Sequence, residues 1–309
     1  MNKIGDLDVF PLCLGGNVFG WTAGKERSFE ILDAYAAAGG NFVDTSDSYM
    51  ASAPGNSGGE SETIIGEWLE TRGNRDDIVI ATKVGRHPER KGLAPANIRA
   101  AADDSLRRLR TDRIDLYFTH FDDPSVPVEE IMTTLDGLVA EGKVRQVAVS
   151  NIEVERLQAS LEFAEREGTT QYTAVQPHYN LVSRDTYEGP RRDLAERYGL
   201  AAVPYYGLAS GFLTGKYRPG ANVDSVRAEK AARYLETERG RRVLAALDIV
   251  AEEQGTAVAT VALAWLAAQP TVAAPIASAR TMDQLPPLIE AARTTLTEDQ
   301  LKRLTAASA

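Results

Sequence analysis

Short apolar runs recur along the chain, and each is followed by a longer stretch with helical spacing. The runs fall at 12–14, 42–44, 78–83, 114–120, 144–150, 174–178, 201–205 and 272–276. Many are apolar on both faces, as parallel strands covered by helices must be. The intervening stretches predict helices at about 27–38, 61–71, 95–109, 128–141, 153–166, 184–198 and 239–254, with a last, loosely ended helix over 297–304. Gly39-Gly40, Gly73, Gly142, Gly168 and Gly199 stand where helices should stop, and Pro95 suits a first helical turn. Roughly eight such β/α units predict an α/β fold, a (β/α)8 TIM barrel built as a single domain over 1–309, with extended loops at its carboxyl face. A doubly wound open sheet is the alternative. Two stretches break the alternation, 51–61 after the second strand and 207–237 after the seventh, and both belong to the face where barrels carry binding loops.

Composition fits that size of core, with 43% apolar and 25% charged residues in 309. The formal charge of -10 argues against a nucleic-acid or anionic-membrane surface, so a phosphate-bearing ligand would need a local cluster of donors. Cys13 lies among apolar neighbours and reads as core; a lone cysteine forms no internal disulfide, which suits a reducing cytoplasm. No apolar run approaches the roughly 20 residues of a membrane helix, and the opening Met-Asn-Lys-Ile-Gly-Asp does not resemble a signal peptide. A soluble, cytoplasmic protein is expected. Its oligomeric state is not legible.

Candidate chemistry gathers at the strand ends. Asp44, Lys83 and His120 each close an apolar run, and Tyr49 follows the second run by a few residues. Polar groups at the carboxyl ends of successive parallel strands converge on one face of a barrel. These four residue types together make a proton donor for a carbonyl. Reduction of an aldehyde or ketone leaves negative charge on oxygen, which an acid must quench. A phenol is a sluggish acid near neutrality, but a cation beside it favours phenolate. Lys83 is therefore expected to lower the pKa of Tyr49, with Asp44 holding Lys83 charged and aimed. A neutral His120 would orient the carbonyl oxygen from a ring nitrogen.

In this order the motifs Phe42-Val-Asp-Thr-Ser-Asp-Ser-Tyr49, Ala81-Thr-Lys83 and Asp115-Leu-Tyr-Phe-Thr-His120 resemble those of the aldo-keto reductases, over about residues 12–292. The resemblance implies a barrel that reduces carbonyls with NADPH. It also implies a cofactor site. Ser150, Asn151 and Gln176 would hold the nicotinamide amide, and Tyr205 would stack on its ring. The loop Leu208-Ala-Ser210-Gly211-Phe-Leu-Thr-Gly-Lys216 resembles the pyrophosphate loop. Ser278, Arg280 and Gln284 resemble the adenosine end, where the forked donors of Arg280 suit a 2′-phosphate and favour NADP(H) over NAD. Two positions depart from the family pattern: Tyr206-Gly207 replaces a common Ser-Pro, and Leu288 stands where an asparagine often touches adenine. Trp21, Met50 and Phe121 are expected to line a pocket for a small aldehyde or ketone, while His87 reads as a bystander.

Two rival readings are weaker. A metal-dependent hydrolase usually needs several His or carboxylate ligands at strand ends, and the three histidines form no His-x-His or His-x-x-x-His pair. A cofactor-binding or sensor protein with little turnover would have no need of the intact catalytic set.

Overall fold

The computed structural model describes residues 1–218, 220, 223 and 228–309. A first hairpin, β1 (Asn2–Ile4) and β2 (Leu7–Val9), precedes the barrel. The barrel strands then follow as β3 (Cys13–Gly15), β4 (Phe42–Asp44) and β5 (Val79–Val84). A small hairpin of β6 (Arg86–His87) and β7 (Arg90–Lys91) interrupts them. The series resumes with β8 (Ile114–Thr119), β9 (Val144–Ser150), β10 (Tyr172–Gln176), β11 (Ala201–Ala202) and β12 (Ile276–Ala277). Eight strands pair in parallel in the order β11-β10-β9-β8-β5-β4-β3-β12. The circle closes through the start of β12 and the residues before it: Ala202 N donates to Thr271 O, Ala273 N to Ala202 O, and Ile276 N to Pro204 O, at 2.8–2.9 Å. The open sheet is thereby replaced by the expected (β/α)8 barrel.

The strand interiors explain the apolar runs. Cys13, Phe42, Ala81, Leu116, Phe118, Ala148, Ala174 and Val203 fill the barrel, and Ile4, Leu7 and Val9 of the first hairpin join the same cluster. Asn2 Nδ2 ties this hairpin to Ala273 O at 2.7 Å, and Gln146 ties it to Asp6 at 2.7 Å. It plugs the amino-terminal end, the floor of the barrel.

Helices α1 (Lys25–Ala37), α2 (Glu60–Arg72), α3 (Pro95–Leu109), α4 (Val128–Ala140), α5 (Val154–Glu167) and α6 (Pro190–Tyr198) cover the outer face. After them come α7 (Ala228–Glu236), α8 (Glu238–Gln254), α9 (Val258–Ala267), α10 (Leu285–Ala291) and α11 (Glu298–Ala307). The helix expected over 184–198 begins only at Pro190, since Gly189-Pro190 breaks the register. The last helix is not loose. Thr297 and Gln300 form a reciprocal capping box, and the helix runs on to Ala307 with Leu304 fully buried.

Candidate active site

The carboxyl ends of β4, β5 and β8 bring the four expected residues together. Asp44 ends β4, Lys83 is next to last in β5, and His120 directly follows β8, its backbone N–H donating to Val84 O at 3.0 Å. Tyr49 returns from the turn after β4. Lys83 is fully buried, and its ammonium donates to Asp44 Oδ1 (2.5 Å), Thr45 O (2.6 Å) and the Tyr49 hydroxyl (2.7 Å). All three ammonium protons are thereby engaged. Tyr49 donates in turn to Asp44 Oδ2 at 2.6 Å, and Gln176 Nε2 donates to Asp44 Oδ1 at 2.9 Å. A buried carboxylate thus takes three donors.

The electrostatics differ from the sequence-based expectation at one point. Burial pushes the Tyr49 hydroxyl well above the usual phenol range, and the Asp44 charge with its hydrogen bond adds to the rise. Lys83 does not leave the phenol acidic in this state, because Asp44 holds the phenolic proton. Burial also lowers the Lys83 ammonium, with Asp44 opposing the shift. His120 falls well below its ordinary range through burial first, then the charges of Lys83 and Arg86, so its ring is neutral as expected. Its Nδ1 lies 3.2 Å from Ser46 Oγ, leaving Nε2 for the cavity that the ring lines.

A cavity of about 710 Å³ opens from this cluster across the carboxyl face. Its walls carry Asp44, Tyr49, His120, Ser150, Asn151, Gln176, Tyr205, Leu208, Ser210, Gly211, Lys216, Ser278, Arg280 and Gln284. Trp21 and Phe121 also line it; Met50 does not, and its carbonyl instead accepts from Asn56 Nδ2 at 3.2 Å within the following loop. Lys83 lies beneath the wall, out of reach of the cavity. His87 is buried on β6 away from the cavity lining. Asn17, which sequence reasoning passed over, bonds Ser278 Oγ through its Oδ1 at 2.6 Å and also lines the cavity. A polar side chain right after the Gly15-Gly16 strand end was the available signal.

The donor set suits a dinucleotide at both ends. Near the Asp44, Tyr49, Lys83 and His120 cluster, Asn151 Nδ2 donates to Ser150 Oγ and to His120 O, both at 2.9 Å, while Tyr205 OH donates to Asn151 Oδ1 at 2.9 Å. His178 stacks on Tyr205 with centroids 5.4 Å apart at 20°, which holds the phenol ring in place. At the far end, Arg280 N donates to Gln284 Oε1 at 3.1 Å, and neither Arg280 nor Lys216 pairs with a carboxylate among the described residues. Leu288 sits buried in the wall, and Tyr206, 40% exposed, carries Lys230 over its ring at 4.4 Å. Of the loop expected over 207–237, residues 219, 221–222 and 224–227 lie outside the described residues. The rest forms a 3-10 turn, Ala209–Thr214, and helix α7.

Such a barrel face belongs to an oxidoreductase that interconverts carbonyls and alcohols with a nicotinamide cofactor. Residues 11–309 match the Aldo/keto reductase family, and the chain belongs to that family. It is 32% identical to norsolorinic acid reductase stcV of Emericella nidulans, over 97% of this chain and 79% of the relative. It is also 32% identical to an aryl-alcohol dehydrogenase of Phanerodontia chrysosporium whose name specifies NADP(+), over 96% of this chain and 82% of that one. The protein tas of Escherichia coli (strain K12) is 32% identical over 97% of this chain and 94% of its own. Among the described residues no helix is long and apolar enough to cross a membrane.

Proposed function

We propose that this protein is an NADP(H)-dependent reductase of small aromatic aldehydes or ketones, with Tyr49 as the proton donor. One observation carries the reading: the Tyr49 hydroxyl lies at the cavity wall between the Lys83 ammonium and the Asp44 carboxylate, beside His120. When bound, the cofactor would supply hydride to the carbonyl carbon. Ser150, Asn151, Gln176 and Tyr205 would hold its nicotinamide end, and Arg280 its 2′-phosphate. The protein's own residues manage the oxygen. His120 Nε2 orients it, and the Tyr49 proton turns from Asp44 to the oxygen as negative charge develops there. The phenolate left behind is stabilised by Lys83 at 2.7 Å and is reprotonated from solvent. A donor that stays protonated near neutrality is ready at every turnover. Trp21, Tyr49 and Phe121 offer aromatic walls, and the name of one relative, an aryl-alcohol dehydrogenase, points to aromatic compounds. The acidic, single-cysteine composition supports a cytoplasmic setting.

The test is NADPH oxidation with a panel of benzaldehydes and aliphatic aldehydes. Tyr49→Phe should lower turnover by a factor on the order of 10² while leaving NADPH binding, read by fluorescence, nearly unchanged. Full turnover in that variant would remove Tyr49 from the role.

A further inference from the structure

A buried polar cluster lies behind the catalytic turn. Asp47 is 1% exposed, its Oδ1 accepts from Ser46 Oγ at 3.2 Å, and its Oδ2 has no hydrogen-bond partner among the described residues. Ser46 Oγ also meets His120 Nδ1 at 3.2 Å and accepts from the Ser48 backbone N–H at 3.2 Å. The Ser48 hydroxyl lies 3.1 Å from it. A hydroxyl has a single proton to give and two lone pairs to fill. With the Ser48 hydroxyl turned to the Asp47 carboxyl, its other hydrogen-bonding neighbour, that arithmetic couples Asp47 to the histidine.

When Asp47 is a carboxylate it can only accept. Ser46 then gives its proton to Asp47, and His120 can keep its contact only by donating from Nδ1. The neutral ring therefore carries its proton on Nδ1 and turns a bare Nε2 toward the cavity, where it repels a carbonyl oxygen. When Asp47 is protonated and donates from Oδ1, Ser46 is free to donate to Nδ1. The ring proton then sits on Nε2 and can orient the substrate. In both arrangements the Ser48 N–H fills the remaining lone pair. We propose that Asp47, acting through Ser46, is the positioning residue that sets which nitrogen of His120 carries its proton.

The surroundings of Asp47 favour the productive form. Glu62 faces it from α2, Arg108 from α3, Lys83 from β5 and Tyr117 from β8, while His87 on β6 approaches the same turn across Gly58. Arg108 is already committed to Glu62 at 2.6 Å, and Thr82 Oγ1 donates to the other Glu62 oxygen at 2.5 Å. Burial, then the like charge of Glu62, pushes the Asp47 carboxyl up to about 7. The switch would therefore operate near neutrality.

This inference rests on the reading of His120 as the carbonyl-orienting donor, and its test separates the two. With three histidines in the chain, ¹⁵N spectra of the imidazole rings report the tautomer of His120 without any turnover. The expected wild-type result is an Nε2–H ring below about pH 6.5 that becomes Nδ1–H above about pH 7.5. Asp47→Asn, whose amide can donate to Ser46, should hold Nε2–H at both values, and Ser46→Ala should make the tautomer insensitive to pH. Wild-type kcat should fall roughly tenfold from about pH 7 to about pH 8.5 and stay level in Asp47→Asn. One His120 tautomer throughout the wild-type titration, or identical kcat profiles in wild type and Asp47→Asn, would overturn the link. Should the protein reduce no aldehyde at all, the reaction assignment fails, while the ring spectra still decide for or against Asp47.

Discussion

Lys83 is an ammonium wholly enclosed by protein, and its stability role cannot be separated from its chemistry. Lys83→Met removes the cation at 2.7 Å from the Tyr49 oxygen and strips the buried Asp44 charge of its counterion. Breaking a buried pair from one side typically costs about 3–5 kcal/mol. The variant should therefore lose turnover at least as severely as Tyr49→Phe and unfold at lower urea than it, since Tyr49→Phe keeps the ion pair and leaves only one Lys83 proton and one Asp44 oxygen without their partner, a cost of about 1–3 kcal/mol. Asp47 gives a pH-dependent signature of opposite kind. Its folded carboxyl keeps a proton up to about 7, while the unfolded chain releases it near 3.8. Between those values the unfolded state binds fewer protons, so this residue's contribution falls as pH rises, by roughly 4 kcal/mol at 1.36 kcal/mol per unit. Asp47→Asn lacks that loss. Its melting temperature relative to wild type should climb from about pH 4 to pH 7 and then level off; a difference independent of pH would show that Asp47 is ionised in the fold.

Among the elements, α2 and α3 meet at a contact that only glycine allows. A Cβ on Gly66 would stand 2.3 Å from Arg108 O and 2.6 Å from Leu109 C, both backbone atoms. Gly66→Ala must push α3 outward, an overpacking that typically costs about 1–3 kcal/mol. Urea unfolding should show that loss as a lower midpoint. The same elements show what the sequence could disclose. Strands β4, β8 and β9 were legible because their apolar runs end in polar residues at the barrel mouth, and α3 because Pro95 opens it and an amphipathic face follows. Helix α9 was not legible. Eight of its residues are buried, so it has no polar face to reveal a helical period. Pro286-Pro287 concealed α10 by resembling a turn while occupying a first helical turn. The four residues proposed as catalytic could be read from strand ends, but the direction of the Tyr49 proton could not. It depends on Asp44 offering both oxygens at once, one to Lys83 and one to the phenol, a matter of side-chain placement rather than of residue type.

The molecule as a whole carries a charge of -10, yet its cavity ends in Arg280 and the exposed Lys216. An anionic cofactor bound as proposed would approach a repelling body and be drawn in at that local patch, over distances of about 10 Å at 0.1 M salt. Arg280→Ala should weaken NADPH more than NADH, and added salt should narrow the gap between the two cofactors in wild type but scarcely in the variant. Equal losses for both cofactors would place 2′-phosphate recognition elsewhere. Opposite that mouth, Cys13 is the chain's one thiol, fully buried inside the barrel above its hairpin floor, where burial holds it well above its ordinary range. An alkylating reagent can reach it only after strands part. Its rate of modification under native conditions is thus a built-in clock for how often the barrel comes undone, with no probe to be engineered.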